Sequence, residues 1–238
     1  MTSVPTLTAA GSRPEKAALR AVTLEGSTGR LEALLNEGYE EAPYAALVCH
    51  PHPLGGGTMH NKVAYHAMKV LNAPEWDLRW PVLRFNFRGT GLSEGKHHGM
   101  AESGDVTVAL DWLADRFKRP VVVVGFSFGA AMALNACCDG HSGEPLRATL
   151  RALAALGLPI HGFGARFHYQ YLSGCTLSKL FLSGDRDEFA PAAELKQLAD
   201  AAADPKQMVL IPGADHSFSG QLDAMQRALS GWLKEQVQ

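Results

Sequence analysis

No apolar run in these 238 residues approaches the roughly 20 that a membrane-spanning helix requires. A dominant charge is missing too: 22 Lys and Arg stand against 24 Asp and Glu, a net charge of −2. That balance offers no basic footprint for nucleic acid and none for an anionic membrane, so neither is an expected partner. Residues 1–16 hold no charged stretch followed by an apolar one, and no secretory signal is expected. Cysteine is scarce. Cys49 falls in an expected buried strand and Cys137 and Cys138 adjoin on a helix, which with Cys175 makes no disulfide framework. A reducing cytoplasm is the expected setting. Internal repeats, low-complexity tracts and dividing linkers are also absent.

What is present is ordinary for a globular protein: 46% hydrophobic and 19% charged residues. The length suits one α/β domain over residues 17–238, with residues 1–16 as a flexible tail. Residues 21–24 and 31–35, joined by a turn at 25–30, read as a hairpin. Strands expected at 44–49, 82–87, 121–124, 148–158, 179–183 and 208–211 then alternate with helical patterns. Those helices carry Val63, Ala67, Val70 and Leu71; Val106, Leu110 and Phe117; Leu195 and Ala202; and Leu222, Met225, Leu229 and Leu233. The order implies an α/β fold: a mostly parallel twisted sheet, an antiparallel N-terminal hairpin, and helices on both faces. Ligands bind such sheets beyond the carboxyl ends of the strands.

One segment carries most of the chemistry. Val121-Val122-Val123-Val124 runs into Gly125-Phe126-Ser127-Phe128-Gly129, and a small-residue helix follows. Strand, serine turn and helix in that order form a nucleophile elbow, in which a strained turn holds the hydroxyl exposed beside a base. Gly125 and Gly129 flank the serine because a side chain at either position would strike the neighbouring strand or helix.

A serine nucleophile needs a base, and the base needs an acid, in the chain order serine, acid, histidine. His216 lies just past the last expected strand. Gly184-Asp185-Arg186-Asp187-Glu188 follows the strand before it and offers two aspartates. Asp187 stands three residues past Gly184, far enough to reach back toward His216. Asp185 is nearer the strand and suits a turn or helix cap. Asp215 adjoins His216, and neighbouring side chains in a loop usually point apart.

An oxyanion needs two backbone donors. Phe128 N–H, directly after the serine, is one. The other should come from His50-Pro51-His52-Pro53-Leu54-Gly55-Gly56-Gly57-Thr58, where the prolines have no N–H and leave His52 first and Leu54 next. The histidines His50, His52, His60, His97 and His98 invite a metal reading, but no Cys pair or acidic partner completes a site. His50 is expected to hold its loop by hydrogen bonds. Gly55-Gly56-Gly57-Thr58 has no phosphate-binding lysine, and Gly89-Thr90-Gly91 lacks its third glycine, since residue 94 is Glu94. No metal and no cofactor are expected.

From about residue 20 onward the chain resembles the α/β-hydrolase superfamily. Cys49-His50-Pro51-His52-Pro53, Met59-His60-Asn61-Lys62, Arg84-Phe85-Asn86-Phe87-Arg88-Gly89-Thr90-Gly91-Leu92-Ser93, the serine motif and Gly213-Ala214-Asp215-His216 carry the likeness. More narrowly they look like small bacterial α/β-hydrolases related to dienelactone hydrolase and to serine aminopeptidase-like domains. The resemblance implies an α/β-hydrolase fold and a triad of Ser127, Asp187 and His216. Dienelactone hydrolases proper carry cysteine where this chain has Ser127.

Many such proteins insert a cap domain after the sixth strand. Residues 161–176 are too few for one, so the expected site is open and shallow, with minimal lid or none. Phe163, Phe167, Tyr169 and Tyr171 in that insert either line an acyl pocket or cover the sheet edge. Phe126 and Phe128 are expected to pack beside the serine. The leading reading is a serine hydrolase acting on small, short-chain carboxylic esters through an acyl-enzyme at Ser127. A small-substrate peptidase or amidase, or an acyltransferase, would use the same triad, and Glu94 and Glu188 are candidate acids for a substrate α-amino group. A non-catalytic binding protein is the remaining reading.

Overall fold

The computed structural model describes residues 18–139, 149–162 and 165–236. The expected tail at residues 1–16, Ala148 and Phe163 lie outside the described residues. The hairpin forms from β1 (Leu19–Gly26) and β2 (Gly29–Asn36). It is longer than its hydrophobic core suggested. Glu25 pairs with Arg30 and Gly26 with Gly29, so the turn shrinks to Ser27 and Thr28, with Gly29 at φ +118° closing it.

The remaining elements alternate. They are β3 (Ala45–Cys49), α1 (Lys62–Asn72), β4 (Val82–Phe85), α2 (Ser103–Phe117), β5 (Val121–Phe126), α3 (Phe128–Cys138) and β6 (Leu150–Leu156). A two-stranded ribbon, β7 (His161–Gly162) with β8 (Ala165–Arg166), and a 3₁₀ turn (Gln170–Gly174) follow. β9 (Ser178–Gly184), α4 (Ala192–Ala201), β10 (Lys206–Ile211) and α5 (Leu222–Gln236) complete the described chain. The segment between β6 and β9 holds no α-helix among its described residues, so no helical lid covers the sheet there.

Eight strands form one sheet in the order β1-β2-β4-β3-β5-β6-β9-β10. β1–β2 and β2–β4 are antiparallel and the other pairings parallel. Every residue of β5 is buried because helices cover both faces. Val121 and Val123 join the core under α2, α3 and α4, while Val122 and Val124 join the core under α1 and α5. Each such valine contributes roughly 1.5–3 kcal/mol of burial. From β3 the chain moves to β4 on one side and then to β5 on the other. The order therefore reverses beside β3 and β5, where such sheets open a crevice at their carboxyl ends.

One expectation fails in an instructive way. Strand β4 stops at Phe85, two residues early, because Phe87 leaves the ladder for a side chain in the loop after β3. Asn86 N–H donates to Glu32 O at 2.8 Å, and Phe87 N–H donates to His50 Nε2 at 3.0 Å. The cysteine reading also needs correction: Cys138 and Cys175 are joined by a disulfide, with Cα atoms 5.2 Å apart. The 3₁₀ turn folds the chain back onto the end of α3 and brings the two together across 37 residues. Cys49 and Cys137 stay free and buried.

Candidate active site

The turn after β5 places Ser127 at φ +55°, ψ −122°, a left-handed conformation that costs a non-glycine residue of order 1–3 kcal/mol. Its backbone is held from both sides. Ser127 N–H donates to Leu156 O at 2.9 Å, and Ser127 O accepts from Ala130 and Ala131 N–H at 2.9 and 3.1 Å. The flanking glycines are close-approach positions, as expected. A Cβ on Gly125 would meet Ala130 Cα at 2.5 Å, and one on Gly129 would meet His50 O at 2.4 Å. The nucleophile helix and the loop after β3 therefore touch through bare backbone.

His216 Nε2 lies 2.9 Å from Ser127 Oγ, and His216 Nδ1 lies 2.9 Å from both carboxylate oxygens of Asp187. The imidazole is wedged between Phe126 and Phe189, with ring centroids 5.1 and 4.6 Å away. Burial alone would raise the Asp187 carboxyl, but bonds from His216, Ser183 Oγ and Phe189 N–H hold it below the usual aspartate range. An ionised Asp187 fixes the proton on Nδ1 and leaves the Nε2 lone pair facing the serine. Of the two aspartates offered by the loop after β9, Asp187 is the one brought to His216. Asp185 Oδ1 instead accepts Gly213 N–H at 2.6 Å, and Asp215 Oδ1 accepts Ser219 N–H at 2.8 Å. Asp185 thus ties two loops together.

In the loop after β3, His50 is fully buried. Its Nε2 accepts from Phe87 N–H, so its Nδ1 donates to Pro51 O at 2.7 Å, and burial pushes its pKa down to about 4. It holds the loop by hydrogen bonds, as anticipated. Leu54 N–H donates to His52 Nδ1 at 3.2 Å, while Gly55 and Gly57 N–H donate to His52 O. The Leu54 N–H is thus engaged within the loop itself. The His52 and Phe128 rings lie 4.8 Å apart, bringing the two expected donor residues side by side.

A cleft of about 250 Å³ opens over Ser127 and His216, walled by Phe126, Pro159, His161, Phe167 and Phe189. Phe126 therefore does more than pack beside the serine. Phe128 is buried against Phe87 and His97, as expected. Several neighbours escaped sequence reasoning: Ser183, Asn61, His161, Phe189 and Gly157. Gly157, at φ +52°, would put a Cβ 3.2 Å from the His216 ring. Only the Gly184-Asp185 context hinted at Ser183, through its place at the end of a buried strand. The candidate amine-binding acids lie elsewhere. Glu94 is bound by Arg30 at 2.7 Å, Glu188 is exposed, and neither lines the cleft.

The fold and this geometry meet their counterpart in a family model described as an alpha/beta hydrolase domain, which matches residues 46–234. The chain is an alpha/beta hydrolase. An uncharacterised Rickettsia prowazekii protein, RP471, is 31% identical over 89% of this chain and 87% of its own. Among solved structures, XC6422 from Xanthomonas campestris, described as a serine hydrolase without a lid, superposes with a TM-score of 0.77 at 27% identity. That match covers 91% of this chain and 94% of the other. A Coxiella burnetii alpha-beta serine hydrolase homologue also gives 0.77, at 29% identity, over 90% and 97%. This alpha/beta hydrolase thus carries its serine, histidine and aspartate on the same three strand ends that its sequence pattern singled out.

Proposed function

We propose that this alpha/beta hydrolase cleaves small carboxylic esters through an acyl-enzyme on Ser127. The observation that carries the reading is the unbroken run Asp187–His216–Ser127, each step 2.9 Å, at the base of the cleft. Ser127 Oγ attacks the ester carbonyl carbon as His216 Nε2 takes its proton. The carbonyl oxygen becomes an oxyanion received by the Phe128 and His52 amides. The tetrahedral intermediate collapses, the C–O bond to the alcohol breaks, and His216 returns the proton to the leaving alkoxide. Water then attacks the acyl-enzyme with His216 again as base, releasing the acid and restoring Ser127.

Small substrates fit the volume, since about 250 Å³ lies below the roughly 300–1,000 Å³ of pockets that hold drug-sized ligands. The likeness to a lidless serine hydrolase at 27% identity and to a serine hydrolase homologue at 29% supports the same reading. An exopeptidase would need an acid to bind the substrate amine, and the described cleft wall presents none. The test is turnover of p-nitrophenyl acetate and butyrate beside the matching anilides. Ester turnover that Ser127→Ala reduces by at least roughly 10⁴-fold supports the proposal. Faster turnover of the anilides would favour amidase chemistry, and turnover equal in the mutant would sink the acyl-enzyme.

A further inference from the structure

Phe167 borders three cavities at once. It forms one wall of the cleft over Ser127, and it also lines a second pocket of about 300 Å³. The floor of that pocket is Ala131, Met132 and Asn135, on the helix that begins immediately after the nucleophile. Asn135 lies eight residues beyond Ser127, about 12 Å along the helix axis. Residues beyond the partition therefore continue in the direction a longer acyl chain would take if it followed α3.

The partition is held from behind. Phe167 N–H donates to Ile160 O at 3.0 Å, and its ring stacks on Tyr169, interplanar angle 13°, centroids 6.4 Å apart. Tyr169 is itself buried and donates its hydroxyl to Pro159 O at 2.6 Å. Of the aromatics in the insert, Tyr169 is buried in the core while Phe167 faces the cleft.

We propose that Phe167 sets the acyl-chain limit of this enzyme, confining substrates to short acyl groups by closing the cleft off from the pocket along α3. The inference rests on the ester-hydrolase reading and names its substrate class. Removing the ring joins the two volumes, and the combined space falls within the range that larger ligands occupy. Phe167 also borders a groove of about 470 Å³ beside Gln197 and Leu198 on α4, which leads away from the nucleophile helix. The test must therefore show which cavity receives the chain.

The experiment compares kcat/KM for p-nitrophenyl butyrate and octanoate in wild type, Phe167→Ala, and Phe167→Ala combined with Asn135→Trp. The wild type should favour butyrate. Phe167→Ala should raise the octanoate-to-butyrate ratio by roughly tenfold or more, the scale of a few methylenes in an apolar pocket. Asn135→Trp fills the far pocket and should reverse that gain. Phe167→Leu, a milder truncation, should move the ratio the same way by less and serves if the alanine variant fails to fold. A ratio within about twofold of wild type in folded Phe167→Ala and Phe167→Leu overturns the proposal, as does a gain that survives Asn135→Trp. Failure of the ester reading looks different: no variant, nor the wild type, would turn over butyrate, and the chain-length inference would fall with it.

Discussion

Asp187 and Asp185 are two residues apart and do unlike things because of what their carboxylates face. Asp187 accepts from Ser183, Phe189, Ala190 and His216, whereas Asp185 accepts from the Gly213 amide in the next loop. Asp187→Asn should lower kcat by roughly 10⁴-fold, because an amide cannot hold His216 in the required tautomer. Asp185→Asn should leave kcat within about tenfold, and comparable losses in the two would break the assignment. Ser127, Asp187 and His216 were legible because each follows a strand of recognisable pattern. Ser183 and Phe189 were not, since their contacts depend on strand register and loop path. His50 supplies a test by pH. Its folded pKa of about 4 lies below the unfolded value of about 6.5, so the unfolded chain binds the proton first as pH falls. Its stabilising contribution is therefore present above pH 6.5 and is lost between there and about 4. Between pH 7 and 5 the wild type should lose about 2 kcal/mol more than His50→Gln, which keeps an acceptor but does not titrate. Urea unfolding at the two pH values measures this, and parallel losses would contradict it.

Among elements, the contact between α3 and the loop after β3 matters most, because at Gly129 backbone meets backbone. Gly129 sits against the Cys49 and His50 carbonyls with no room for a methyl group. Gly129→Ala should push the helix from the loop, separate the two proposed oxyanion donors and cost roughly 10²-fold or more in kcat. Near-normal kinetics in that variant would mean the donors lie elsewhere. The glycine pattern was readable because β5, turn and α3 are contiguous. The disulfide was not, because a 3₁₀ turn far along the chain brings Cys175 to Cys138. That bond ties the segment carrying Phe167 to the end of the nucleophile helix. Cys175→Ser should cost about 2–4 kcal/mol in urea unfolding, and a reducing compartment would hold the pair as thiols. No change in stability would mean the pair is not bonded in solution.

At the scale of the whole molecule, one sheet brings the chemistry together. β3, β5, β9 and β10 all point their carboxyl ends to the same side, so residues 89 positions apart in sequence reach hydrogen-bond distance. Alternation of strands and helices made that sidedness legible, since a parallel sheet has only one carboxyl edge. Cavity shape was beyond reach, because it depends on how the segment after β6 folds back. Phe167 and Tyr169, with one residue between them, end up as a cleft wall and a core residue. Activation of Ser127 by this architecture is tested most directly by covalent labelling with a fluorophosphonate followed by intact mass. One adduct per chain is expected, mapped to Ser127, absent in Ser127→Ala and strongly slowed in His216→Ala. No adduct on folded wild-type protein, or an adduct that persists in Ser127→Ala, would contradict that activation.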